Sequence, residues 1–440
     1  MLKDENRLTE RELVKFFLPI VAMTMLLVLS QNVISSALAQ TLAPAIALSA
    51  FSVGRGVAGI VQAPCWALMK LTTASARYKK SAKNLLKVAV KGGALVIAVM
   101  LFISYTSLNR FIFIDLIGIK ENILTETLQV FKTLMLMPVI LVLRITHQSF
   151  VALRKKTIWL TVGTMARVVI MLGLAYLISK TKFLTGGKIG SIILLTGFAI
   201  EAIVAFFKGR PWLKEAPEES ETNQQVLSTK NIWRIFYPLI FAQLIISSIN
   251  SVISAGLSRA LNPTIAISSY FVAHTLAWIF IGMGFRVHQL VIVYVKDQNS
   301  YKVVKKFVYK IAITMVVLLA ILSFTPLGSW VLTNMLNINA EITAQAAKVL
   351  KYFVIIPFAL FVSEFYQGLM LKERSSTGIT ICKIVNLTSL AVVLTTLVVL
   401  FPNLGSSIGG ISIACSYIAE AVTAFLLSKK YLKIKSINLY

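Results

Sequence analysis

Apolar and polar positions follow one another along the chain in long blocks rather than in short periods. Apolar stretches fall at 14–39, 45–72, 88–114, 124–152, 157–179 and 189–207, and again at 232–258, 264–294, 307–333, 344–371, 378–400 and 407–428. Each has about the length, roughly twenty residues, that a helix needs to cross the hydrocarbon of a bilayer. The pattern predicts an all-α polytopic membrane protein of about twelve transmembrane helices. A polar stretch rich in glutamate and proline, 209–231, separates the two sets and reads as a linker between an N-terminal lobe, 1–208, and a C-terminal lobe, 232–440.

The two sets repeat one another. Pro19 matches Pro238 at a shift of 238 − 19 = 219, and at that shift Val33-Ile34-Ser35 meets Val252-Ile253-Ser254. Pro44 then falls on Pro263, Pro138 on Pro357, Gln148 on Gln367, Gly186 on Gly405, Gly190 on Gly409 and Glu201 on Glu420. Shared hydrophobicity aligns leucines and valines, but it does not align prolines, glycines, a glutamine and a glutamate in one ungapped frame. An even number of crossings gives both copies the same orientation, so the expected relation is a pseudo-two-fold axis along the membrane normal.

Composition agrees with a bilayer: 57% of residues are hydrophobic, 14% are charged, and mean hydropathy is +0.80. The first fifteen residues are polar, without the pattern of a cleavable signal peptide. Cys65, Cys382 and Cys415 lie in apolar runs without paired spacing, which favours packing over a disulfide or metal site. The net charge of +27 is large, yet it resides mostly between the apolar runs and is not a nucleic-acid footprint. Arg77, Lys79, Lys80 and Lys83, then Arg154, Lys155 and Lys156, then Lys302, Lys305 and Lys306, then Lys372 and Arg374, and finally a tail beginning at Lys429 all fall on alternate connections, and the opposite ones carry few, with Lys180, Lys182 and Lys188 the main exception. The positive-inside rule then places both termini and the linker in the cytoplasm, with the chain in the inner membrane among its lipids.

Several of these segments resemble the multidrug/oligosaccharidyl-lipid/polysaccharide (MOP) exporter superfamily. They are the FFLP start, the stretch LAPAIALSAFSVGRGVAGIVQAP, and the paired runs PVILVLRITHQSFVALRKK and PFALFVSEFYQGLMLKERS. Within it the second helix is most similar to the MATE-like and progressive ankylosis-like branch. The resemblance implies two six-helix lobes around a central cleft and transport by alternating access, with helices 2 and 8 facing each other. The major facilitator superfamily has the same helix count, but its acidic-basic signature is missing from the loop ASARYKKSAKN.

An ionisable group at a helix centre costs roughly 3 kcal/mol on insertion scales, so each one faces protein or water. Arg55, flanked by Gly54 and Gly56, has His274 as its repeat partner. With the resemblance, the two meet at a central cationic site, where a guanidinium would hold a phosphate or carboxylate in bidentate fashion; the competing reading is local hydrogen bonding within the helix packing. Gln31, Asn32, Asn250 and Ser251 sit at paired positions that line the same cavity or bond between helices, and Arg144, with no acid assigned to it, extends the cationic lining. Arg167 with Glu201, and Lys383 with Glu364 or Glu420, read as structural ion pairs. His288, Lys70 and Arg286 mark the inner ends of helices 2 and 8, and Pro64 predicts a kink that serves as a hinge.

The function expected is alternating-access export of an anionic substrate, a small organic anion or phosphate compound. The alternative is flipping of a lipid-linked pyrophosphate oligosaccharide, and the second alternative is MATE-type efflux coupled to a cation. Helices 1, 2, 7 and 8 contain no Asp or Glu in their apolar runs, which disfavours cationic drugs. None of the three histidines, His147, His274 and His288, has an acid in a recognisable motif nearby, so no catalytic residues, metal or cofactor are expected. A non-transporting scaffold would tolerate the loss of Arg55.

Overall fold

The computed structural model of the chain describes residues 8–181, 186–218, 227–260, 262–335 and 338–433. These residues form helices and short turns, with no strand among them. The first six-helix set is α1 (Glu10–Ala39), α2 in two segments (Pro44–Val61 and Ala63–Ser75), α3 (Lys79–Tyr105), α4 (Ile123–Leu153), α5 (Ile158–Thr181) and α6 (Lys188–Gly209). The second is α7 (Thr229–Leu257), α8 (Pro263–Tyr294), α9 (Gln298–Phe324), α10 (Ala340–Lys372), α11 (Ser376–Leu400) and α12 (Ser407–Lys433). Helix is imposed because lipid offers no partner to a backbone N–H or C=O. Among the described residues ten helices are long and apolar enough to cross a membrane, eleven with the two segments of α2 taken as one span, and the protein is a multi-pass membrane protein.

Burial sorts the spans into central and peripheral ones. In α8, 67% of the most apolar window is buried inside protein, against 22% in α11. Peripheral helices instead present large apolar side chains outward, among them Val90, Val169, Leu172 and Val392. That is the arrangement a lipid solvent favours.

Proline sets the breaks. The two segments of α2 are bent by 46° at Gln62, because Pro64 has no N–H to donate and its ring displaces the carbonyl one turn before it. In α4 the helix tightens to a 3₁₀ turn over Leu134–Leu136. There Pro138 leaves the Leu134 carbonyl without its i+4 donor, and the Met137 N–H donates to it instead. Gln62 adds a second donor: its Nε2 donates to Leu134 O at 3.2 Å. One amide therefore joins the break in α2 to the break in α4.

The repeat holds down to backbone dihedrals. Lys155 and Arg374, at 374 − 155 = 219, both close their turns in the left-handed region, with φ of 58° and 61°. Gly186 and Gly405 do the same at φ of 71° and 53°. Gly190 packs against the Phe51 ring and Leu38, and Gly409 packs against the Tyr270 ring and Leu257, all at the same shift. A Cβ at either glycine would stand 2.7 Å from its ring.

Packing divides the chain into two compact units, Phe16–Leu244 and Ile245–Tyr440, the second taking in the start of α1 up to Lys15. The first half of α7 thus packs with the first unit, beyond the 208 and 232 boundaries expected from sequence. The Phe236 ring lies on Gly92 of α3, where a Cβ would come within 3.2 Å of it. In the second unit Lys310 holds Glu10 at 2.7 Å. The start of the linker is built onto the first lobe: Trp212 Nε1 donates to Ala76 O at 2.7 Å, and Arg154 grips Glu215 with two 2.7 Å bonds. Residues 219–226 of the linker lie outside the described residues.

Candidate functional site

Each lobe buries one glutamate on its last helix and surrounds it with donors. In the first lobe Glu201 Oε1 accepts from Arg144 Nη2 at 3.0 Å, Gln148 Nε2 at 2.8 Å and Thr164 Oγ1 at 3.1 Å. Glu201 Oε2 faces Arg144 Nε at 2.9 Å and accepts from Arg167 Nη1 at 3.4 Å. An ionised carboxylate has about four lone-pair sites, and these donors occupy them. Arg167 also donates to Ser30 on α1 at 3.0 Å, so the cage ties four helices together.

Both guanidinium groups lie over the Phe198 ring, Arg144 at 4.7 Å and Arg167 at 4.1 Å from its centroid. The ring face partly offsets the desolvation of two buried cations. Two arginines against one glutamate leave the cage with a formal charge of 2 − 1 = +1. Arg55 on α2 is half-buried, stacks near Phe51 at 5.8 Å, and is within electrostatic reach of Arg167.

The second lobe builds the same cage from other residues. Glu420 Oε1 accepts from Ser363 Oγ at 2.9 Å, from Gln367 Nε2 at 2.7 Å and from Lys383 Nζ, while Oε2 accepts from Asn386 Nδ2 at 2.8 Å. Subtracting 219 from 363, 367, 383 and 386 gives 144, 148, 164 and 167, the four donor positions on Glu201. Beside this cage a second acid appears: Glu364 Oε1 lies 3.9 Å from Lys383 Nζ, and its Oε2 pairs with His288 Nδ1 at 3.0 Å. With a neutral imidazole the group sums to 1 − 2 = −1, the opposite sign to the first lobe.

Several expectations are changed by this geometry. Arg144 has a partner, and at 1% exposure it is part of a packed core rather than the lining of an open cleft. Lys383 contacts Glu420 directly and Glu364 at longer range. His288 does not merely mark a helix end: it is buried against an acid, which the sequence alone did not assign to any histidine. His274 sits among aromatic rings, near-parallel to Tyr270 at 5.9 Å and beside Trp278 at 4.9 Å, with the Phe353 edge at 6.2 Å. Asn250 and Ser251 are exposed on α7, and the side chains of Gln31 and Asn32 lie outside the described residues. Pro64 stands just inside the second segment of α2, at the bend.

The donors Thr164, Ser363 and Asn386 were not singled out in the sequence. The signal was present, since the shift that aligns Glu201 with Glu420 also aligns every donor with its counterpart. It was masked because only Gln148 and Gln367 kept their identity.

No protein-family profile matches the sequence, and no curated protein matches it. Solved structures do. A MOP superfamily transporter from Pyrococcus furiosus superposes with a TM-score of 0.69 at 17% identity, over 96% of this chain and 95% of that one. A Vibrio cholerae MATE transporter gives 0.71 at 14% identity, over 97% and 98%. A eukaryotic MATE transporter gives 0.71 at 12% identity, over 97% of both chains. The chain has the fold of the MATE transporters of the MOP superfamily.

Proposed function

We propose that this protein is an alternating-access transporter for an anionic solute, with Arg55 as the residue that meets it. The observation carrying this reading is the positive excess of the first lobe. Glu201 is engaged by the donors of its own cage, two of them arginines, which leaves that cage with a net positive charge near Arg55. A half-buried guanidinium in that field attracts phosphate or carboxylate and repels organic cations. The Pyrococcus furiosus relative in fold is described by a binding pocket of reversed polarity that suggests a different function, and the proposal places this chain in the same situation. A small organic anion and a lipid-linked pyrophosphate share the chemistry that Arg55 recognises.

The second lobe supplies the coupling in this reading. Two carboxylates against one lysine come to balance when His288 or Glu364 takes up a proton. In this reading termini and linker lie in the cytoplasm of an inner-membrane protein, the orientation that the basic alternate connections favour.

The test is thermal stabilisation of the purified protein by citrate, pyrophosphate, nucleotides, undecaprenyl phosphate and cationic dyes, on wild type and Arg55→Ala. Stabilisation by an anion that is lost in the variant supports the reading and names the substrate class. Stabilisation by dyes alone, unchanged in Arg55→Ala, overturns it in favour of MATE-type efflux, a reading favoured by the fold of the neighbours.

A further inference from the structure

The outer face of the second lobe carries a groove of about 430 Å³ between α9, α10 and α12. Its walls are apolar, with Phe358, Ala359 and Val362 from α10 and Val422 from α12. At one end stand the neighbouring side chains of Tyr309 and Tyr366, with Phe425 beside them. That end is also the basic end of the lobe. Lys305 Nζ lies 5.8 Å from the Tyr309 ring, and Lys429 Nζ lies 4.4 Å over the Phe425 ring. Neither lysine has an acidic partner among the described residues.

We infer that this groove binds an anionic phospholipid of the lysine-rich leaflet, with one acyl chain in the groove and its phosphate between Lys305 and Lys429. Length fits. From Ile355 to Tyr366 the groove follows α10 for 366 − 355 = 11 residues, about 16 Å at helical rise. Half of a ~30 Å hydrocarbon core is about 15 Å, so the groove spans one leaflet. Charge fits as well, because two lysines stand at the interface end and no cation lines the deep end. A cation resting on an aromatic face keeps its charge available to a phosphate.

The first lobe provides a control built into the same chain. At a shift of 219, Ala359 becomes Ile140, Tyr309 becomes Val90 and Lys305 becomes Leu86, while Lys429 becomes Arg210. The isoleucine is the larger side chain, and one of the two cations is replaced by a leucine. The site therefore belongs to the second lobe alone.

The experiment is native mass spectrometry of the detergent-purified full chain titrated with phosphatidylglycerol or with phosphatidylcholine of the same acyl chains. It uses wild type, Lys305→Gln/Lys429→Gln, and Ala359→Ile. Ala359→Ile installs the residue found at the equivalent position of the first lobe, and both lysines lie at the helix surface, so the lysine variant retains the fold; the melting temperature of Ala359→Ile, compared with wild type, confirms that it is folded before it is titrated. The expected result is one phosphatidylglycerol retained by wild type at least tenfold more tightly than phosphatidylcholine. The lysine variant loses that preference, and Ala359→Ile loses retention of both lipids. Equal retention of the two lipids by wild type overturns the inference, as does phosphatidylglycerol binding that survives in both variants.

Discussion

Glu201 and Glu420 stand 420 − 201 = 219 positions apart, and the Oε1 atom of each accepts three hydrogen bonds from side chains at equivalent positions on two neighbouring helices. The donor chemistry differs almost completely: Arg, Gln, Thr and Arg in one lobe, Ser, Gln, Lys and Asn in the other. What the duplication preserved is a buried carboxylate at a fixed point, with four donor sites around it.

The two glutamates are not equally replaceable. Glu201→Gln strands two buried arginines, and breaking a buried pair costs about 3–5 kcal/mol. Glu420→Gln leaves Lys383 with Glu364 at 3.9 Å, which retains a counter-charge. Thermal denaturation in detergent is expected to show a clearly larger loss for Glu201→Gln; a larger loss for Glu420→Gln would contradict the assignment of charges.

Donor sets are expected to be exchangeable as sets. Arg144→Ser with Arg167→Asn leaves Glu201 an ionised group with neutral donors only, and destabilises the first lobe. Adding Thr164→Lys completes the second lobe's set and is expected to recover most of the lost stability. A triple variant no more stable than the double one would show that backbone equivalence does not extend to side-chain reach.

A third expectation concerns pH. Asp297 caps α9 by accepting the Ser300 N–H at 2.8 Å, and this bond holds its carboxyl below the ordinary carboxylate range. A lowered folded value means the stabilisation is present above the unfolded value, near 3.9, and is lost as pH falls through the folded one. Asp297→Ala is expected to cost about 1 kcal/mol at neutral pH, as capping residues do. The gap between variant and wild type should close in strongly acidic buffer, and a gap that stays constant with pH would refute the role of the charge.

The span count, the duplication and the helix-breaking prolines were legible because each rests on local signals: run length, ungapped register and the missing N–H of proline. The ion partners were less so. Arg167 with Glu201 was readable, since both are buried charges in adjacent spans, but Arg144 was not, because one carboxylate serving two arginines has no signature in spacing. His288 was placed at a helix end by hydropathy, whereas its 3.0 Å contact with Glu364 depends on how α8 packs against α10. The turn at Lys155 and Arg374 was likewise invisible, since neither residue advertises a left-handed backbone as glycine does.

The single amide of Gln62 on the Leu134 carbonyl has a consequence for how the first lobe can deform. While it is made, two interrupted helices behave as one welded frame. If α2 straightened at its bend, the buried Gln62 amide would lose its oxygen acceptor and the Leu134 carbonyl would keep only the 3₁₀ bond from Met137, at a cost of about 1–3 kcal/mol. A water molecule entering the lobe would satisfy that amide. Flexing of α2 is therefore cheaper when the lobe interior is wet than when it is dry.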